Sequence, residues 1–484
     1  MHSVFARSNR CRLKENFVRR TTDTNRIVKR LCRACLSLFT VVTLATVSAG
    51  SCYAQAADSG LPKDFRPPPP TPKELAIENP LIDQAALDAW KPKRLEFQGT
   101  LEKKLAGNAP KIIDEGFRVN VQALSIVEKR DELIGIRKSI LRYIDTYIPE
   151  KNEAEKKFAC KTVVKYAETL LDGNFHVRMQ AVLLIGSLNI SPEVPGLRPK
   201  PAVAYIDGLT TLLDVIKAPE GGIDQPEPIR ILAAMGAARL LKQGRHTLKV
   251  NSKIPVDCAR RILAELGGKG SDWYHQRLIE ALAETALSSV PNAQNQQEPV
   301  IVETLARILA DPGRSNQLRA RAAKLLGRVP MPGGLQAAPI AYSIVKLTQK
   351  IATEVNQKRV LPGDAIFRLN DIFLAFKQAV KGEATTDGRK AAGLLSTLNQ
   401  KQTQDAYKDI LPVVQMIFRQ FQGAGKEKNP PVVFPAAMIA KLNAWPKPAD
   451  MALAPGRPPI DKPLTPPPAQ PQAARQGNRA AQAG

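Results

Sequence analysis

Residues 172–188 read Asp172-Gly-Asn-Phe-His-Val177-Arg178-Met-Gln-Ala181-Val-Leu-Leu-Ile185-Gly186-Ser-Leu188. A Gly-Asn break is followed by a helix start in which an apolar-Arg pair precedes a small residue and then an apolar-Gly ending. The same order returns at Pro228-Ile229-Arg230-Ile-Leu-Ala233-Ala234-Met-Gly236. It returns again at Asp311-Pro-Gly-Arg-Ser-Asn-Gln-Leu318-Arg319-Ala-Arg-Ala322-Ala323, continuing to Leu326-Gly327. Gln276-Arg277-Leu278, with Ala281 and Leu282, is a weaker copy. Arg178, Arg230, Arg277 and Arg319 are 52, 47 and 42 residues apart, so one structural unit recurs with loops of varying length.

Outward from these copies nearly every segment has helical spacing. In 153–172, Ala159, Cys160, Val163, Val164, Ala167, Leu170 and Leu171 fall on one face, with Lys156, Lys157, Lys161 and Lys165 largely clear of it. Segments 202–217, 298–311, 361–380 and 403–421 behave alike, and 336–355 is expected to be another long helix. Breaks fall at Gly173-Asn174, 219–222, 267–270, Pro291-Asn292, Pro312-Gly313 and 330–334. No alternating strand pattern runs beyond a few residues, and aromatics make up only 5% of the chain. The fold class expected is all-α.

The recurrence resembles the HEAT family, over roughly residues 153–330. The resemblance implies an α-solenoid of antiparallel helix pairs, in which an Asp and an Arg bond between neighbouring repeats. Carried over, Asp172 with Arg178 and Asp311 with Arg319 match, while the units at Arg230 and Arg277 lack the Asp. Ala181, Ala233 and Ala322 are expected where helices approach closely, because they add no bulk to a seam. A buried Arg in such a seam needs a carboxylate or carbonyl partner.

The N-terminus reads as an export signal. Ten basic residues from Arg7 to Arg33 stand against Glu15 and Asp23, and the apolar stretch 36–50 leads to Ala54-Gln55-Ala56, with cleavage expected after Ala56. Cys52 lies in a poor lipidation box, and a start near Val28 or Leu31 would shorten the long basic region. Residues 57–82, with Pro67 to Pro70, are expected to be a Pro-rich linker, 83–445 the helical body, and 446–484 a disordered Pro-rich tail. An exported chain points away from nucleic acid, although residues 57–484 still carry a net charge of +17.

Catalytic chemistry finds little support. Past residue 56 the histidines are His176, His246 and His275, no metalloprotease, nucleophile-elbow or phosphate-loop motif occurs, and Cys160 and Cys258 sit on apolar helical faces as expected buried thiols. Trp273-Tyr274-His275 is expected to be an aromatic plug between helices, and Glu280 with Glu284 a solvated pair. Arg260, Arg261, Arg314, Arg321, Lys324 and Arg328 are the candidate anion-binding set, if they line one surface. No cofactor or metal is expected. The function expected is a non-enzymatic exported scaffold holding a protein partner; the alternative is an envelope protein adhering to anionic wall polymer or lipid.

Overall fold

The computed structural model describes residues 67–462, apart from 195–199, 220–221, 245–247, 249–252, 293, 378–392, 426 and 428. The export signal, Cys52, His246, residues 57–66 of the linker and 463–484 of the tail lie outside the described residues. The described chain is mostly helical. Its α-helices of seven residues or more are α1 Gln84–Trp90, α2 Arg94–Leu101, α3 Ala109–Gln122, α4 Leu133–Arg142, α5 Glu153–Glu168, α6 Phe175–Ile185, α7 Leu209–Ile216 and α8 Glu227–Gly244. They continue as α9 Lys253–Leu266, α10 Asp272–Glu284, α11 Val300–Ala310, α12 Asn316–Leu326, α13 Ala338–Asn356, α14 Pro362–Phe376, α15 Lys401–Gly423 and α16 Ala436–Asn443. Two short antiparallel hairpins interrupt them, β1 Asn189–Ser191 with β2 Val203–Ala204, and β3 Val290–Pro291 with β4 Gln297–Glu298.

From α5 onward the packing follows chain order. The helices of α5 and α6, α7 and α8, α9 and α10, α11 and α12, and α13 and α14 pack in sequence pairs. The second helices also pack on one another from α4 through α6, α8, α10, α12 and α14 to α15, and the first helices from α7 through α9 and α11 to α13. Several helix starts have a local cause. Ser271 and Ser315 place their hydroxyls on the amides of Tyr274 and Leu318, and Asn174 caps the amide of His176. Inside, Ile301, Leu305, Ala306 and Leu309 of α11 face Leu318, Ala322 and Leu326 of α12 across a core that is buried throughout.

Glycine marks the closest approaches. A Cβ on Gly186, which ends α6, would stand 3.0 Å from the Cα of Gly236 in α8. A Cβ on Gly327, which ends α12, would meet the carbonyl oxygen of Ala375 in α14 at 2.2 Å. Backbones pass here with no room for a side chain.

Two stretches read from composition as spacers are built into the body. Thr71 caps the short helix Pro72–Leu75, and the Asn174 amide donates to the Leu75 carbonyl. Beyond Pro446, Met451, Ala452, Leu453 and Ile460 are buried, the Gln336 amide donates to the Leu453 carbonyl, and Ile460 closes a loop onto Met451. Proline content hid the apolar residues between the prolines, and these drive the segment onto the core.

Candidate functional site

Arg178, Arg230 and Arg319 are each the fourth residue of their helices, α6, α8 and α12. In α10 that place is taken by His275, not by Arg277 two residues on. Ala181, Ala233 and Ala322 are likewise each the seventh residue, and all are fully buried. The fourth-position side chains tie helix to helix. Arg178 donates from Nε to the Gly173 carbonyl at 2.6 Å and reaches Gln225, ahead of α8, at 3.3 Å. Arg319 donates from Nε to the Leu309 carbonyl of α11 at 2.8 Å. At Leu309 a carbonyl left open at the C-terminal end of α11 thus receives a cation, while at Gly173 it is a carbonyl of the loop before α6. Asp172 and Asp311 act on these arginines only through their charge, while Asp311 accepts from the Gly313 amide. The expected Asp–Arg bond is therefore replaced by Arg–carbonyl bonds.

Arg230 pairs with Glu265 of α9 at 2.7 Å and lies over the Tyr274 ring at 4.8 Å. Burial is the first cause pushing Glu265 above the usual carboxylate range, against the Arg230 charge. His275 sits within 2.7 Å of the Arg314 guanidinium through Nδ1. A guanidinium only donates, so Nδ1 accepts and the ring is neutral. Burial first, and then Arg314, hold its pKa at about 4. Trp273-Tyr274-His275 is an interhelical plug, with Tyr274 and His275 buried and the Tyr274 hydroxyl within 3.3 Å of the Ile216 carbonyl.

A second device repeats one helix further on. Glu227, the first residue of α8, accepts from the amide and hydroxyl of Ser271 ahead of α10. Asp272, the first residue of α10, accepts from the Ser315 amide ahead of α12 at 2.6 Å. Each acidic first residue serves its own helix dipole and the cap of the next helix. An Asp or Glu in a first turn is visible in sequence, but its second partner is not.

The candidate anion-binding residues do not form one set, although Arg321 and Lys324 meet on a shared carboxylate. Arg260 and Arg261 lie on α9, where Arg261 pairs with Asp214 of α7 at 2.5 Å and Arg260 donates to the Pro291 carbonyl at 2.9 Å. Arg314 pairs with Asp272 at 3.4 Å and Asp311 at 3.6 Å. Arg321 stands between Glu280 of α10 at 3.2 Å and Asp371 of α14 at 3.3 Å, and Lys324 pairs with the same Asp371 at 3.1 Å. Arg328 is exposed just past α12. An anion at Arg261, Arg314, Arg321 or Lys324 has to displace a carboxylate already there. Glu280, expected to be solvated, is instead half-buried and joined to Arg277 at 2.7 Å.

Surface apolar residues lie elsewhere on the same row of helices. Ile134 of α4 is 49% exposed and Met235 of α8 is 43% exposed, and Met179 and Leu183 of α6 and Leu232 of α8 are half-buried. The Glu280–Arg321–Asp371–Lys324 ion pairs lie on α10, α12 and α14, further along the same row of helices.

Interior polar groups were harder to foresee. Lys156, read as clear of the apolar face, is 1% exposed, and its charge bears on Asp145 and Cys160. Glu303 lies on the buried face of α11, where Arg457 grips it from Nε at 2.5 Å and from its terminal nitrogen at 2.7 Å. A carboxylate on an otherwise apolar helical face is itself a legible request for a cation. Cys160 and Cys258 are buried and unpaired, as expected; burial pushes the Cys258 thiol up to about 12 and raises Cys160 further. Among the described residues no group of three His, Cys, Asp or Glu is placed to hold a metal ion, and no helix is long and apolar enough to cross a membrane. No protein-family model matches this chain, and no curated protein sequence matches it significantly.

Proposed function

We propose that this chain is an exported scaffold built as a HEAT-like α-solenoid, which binds an extended segment of a protein partner along the exposed face of α4, α6 and α8. The observation that carries the reading is that three successively packed helices leave apolar side chains partly open to solvent: Ile134 of α4, Met179 and Leu183 of α6, and Leu232 and Met235 of α8. Exposed methionine is soft and adaptable, and suits a groove that takes an apolar partner face. The solenoid part is supported by the shared fourth-position seats of Arg178, Arg230 and Arg319 and by packing that, from α5 to α14, joins each helix to the next or the next but one. Binding is favoured over catalysis because the two described thiols are held protonated and the His275 ring is engaged by Arg314. A protein partner is favoured over an anionic polymer or lipid because Arg260, Arg261, Arg314, Arg321 and Lys324, five of the six candidate cations, are paired with carboxylates.

The test is crosslinking and mass spectrometry of the full chain in its native envelope, beside a Met235→Glu variant. One stoichiometric protein that crosslinks near Met179 and Met235, resists moderate salt, and is lost in the variant is the expected result. Salt-sensitive retention on envelope fractions that Met235→Glu leaves unchanged refutes the reading.

A further inference from the structure

Where the described chain ends, it ends beside an open cleft. The cleft lies between the first half of α15 and the segment after α16, and has a volume of about 530 Å³. That falls within the range, roughly 300–1,000 Å³, typical of small-ligand sites. Trp445, Pro446 and Pro448 supply its apolar faces, and Gln402, Asp405 and Asp409 its polar ones. The Trp445 indole N–H donates to Asp409 Oδ2 at 2.7 Å, which holds the ring in one orientation. The charges around the cleft cancel in pairs: Asp409 with Lys441 at 2.7 Å, Asp405 with Lys408 at 3.8 Å, and Lys447 with Asp461 at 3.0 Å.

A fixed tryptophan beside two proline rings, with no net charge on offer, suits an uncharged Pro-rich segment. Such a segment already favours the extended polyproline conformation and loses little freedom on docking against aromatic faces. Lys447 lines the cleft and its partner Asp461, one residue from the end of the described chain, stands at the rim. The next nine residues read Pro463-Leu-Thr-Pro466-Pro467-Pro468-Ala-Gln-Pro471, with no charged side chain. At about 3.1 Å per residue in the polyproline conformation they reach roughly 28 Å, ample to cross the cleft. We infer that the Trp445 cleft is a binding site for an uncharged Pro-rich segment, and that its resident occupant is residues 463–471 of the same chain.

The test compares the full chain with one ending at Lys462, using a labelled peptide of residues 463–474 and acrylamide quenching of Trp445; a Trp445→Phe version of each assigns the signal among the three tryptophans. The shortened chain is expected to bind the peptide and show a more readily quenched Trp445 until the peptide is added. A tethered segment competes at an effective concentration on the order of 1 mM, so the full chain is expected to need about tenfold more peptide if the free peptide binds near ~100 μM. In the full chain, P466A/P467A/P468A is expected to behave like the truncation, and this variant leaves the described body untouched. Equal quenching in full and shortened chains, or no peptide binding to the shortened chain, overturns the site. Quenching protection that disappears on dilution assigns the occupant to a second copy and overturns docking within one chain.

Discussion

Gly327→Ala isolates the close packing of α12 on α14. Gly327 has φ −73° and ψ −8°, which any residue adopts, so a change there adds bulk without backbone strain. The added Cβ would stand 2.2 Å from the Ala375 carbonyl oxygen, 2.9 Å from its carbonyl carbon and 3.0 Å from its Cα. Ordinary contact would require the backbones to part by about 1 Å or more, and overpacking of this kind costs roughly 1–3 kcal/mol. Against it stands about 0.4–1 kcal/mol gained from a less flexible unfolded chain. The Gly393 amide, which donates to the Gly327 carbonyl at 3.0 Å, is disturbed as well, so the upper half of the range applies. The expected net loss is about 2 kcal/mol. Gly99→Ala is the control: nothing lies within 4 Å of its Cβ, and inside α2 it is expected to gain about 0.5–1 kcal/mol. Urea unfolding of the full chain, followed by helical ellipticity, reads the two midpoints, and hydrogen exchange locates the loss at α12–α14. A Gly327→Ala midpoint at or above that of the unaltered chain refutes the packing argument.

Ala181→Trp and Ala322→Trp overfill fully buried seams and are each expected to lower the melting temperature by several degrees; unchanged melting in both would show these positions are not seams. Arg457→Ala leaves the Glu303 carboxylate buried without its cation, and a loss of about 3 kcal/mol is expected in urea unfolding, with proteolysis of residues 446–462 accelerated. His275 has a folded pKa of about 4, below its ordinary 6.5, so between those values the unfolded chain takes up a proton that the folded chain refuses. Stability present above pH 6.5 is therefore expected to fall as the pH drops toward 4, by about 2 kcal/mol at pH 5 from this residue, and the difference should vanish in His275→Gln. Cys160 and Cys258 are expected to react with a thiol reagent only as fast as the fold opens, so an equal labelling rate in native and urea-treated protein would contradict their burial.

Local signals carried the helices. Three- and four-residue apolar spacing, Ser and Asn caps, and Gly or Pro breaks act within one turn of the chain, so the expected spans 336–355, 361–380 and 403–421 match Ala338–Asn356, Pro362–Phe376 and Lys401–Gly423 closely, the second ending ahead of residues that lie outside the described part. The recurring Arg and Ala positions were legible for the same reason: their spacing repeats the register of a helix start. Tertiary structure alone decided the partners. Arg319 settles on the Leu309 carbonyl rather than on Asp311, and Arg321 and Lys324 meet Asp371 some fifty residues on, because an ion pair forms wherever packing brings opposite charges together, at any sequence distance. The same holds for Arg457, which reaches back 154 residues to Glu303 from a stretch that composition marks as a loose tail. Composition averages over a window, whereas burial of Met451, Leu453 and Ile460 depends on what surface lies within reach.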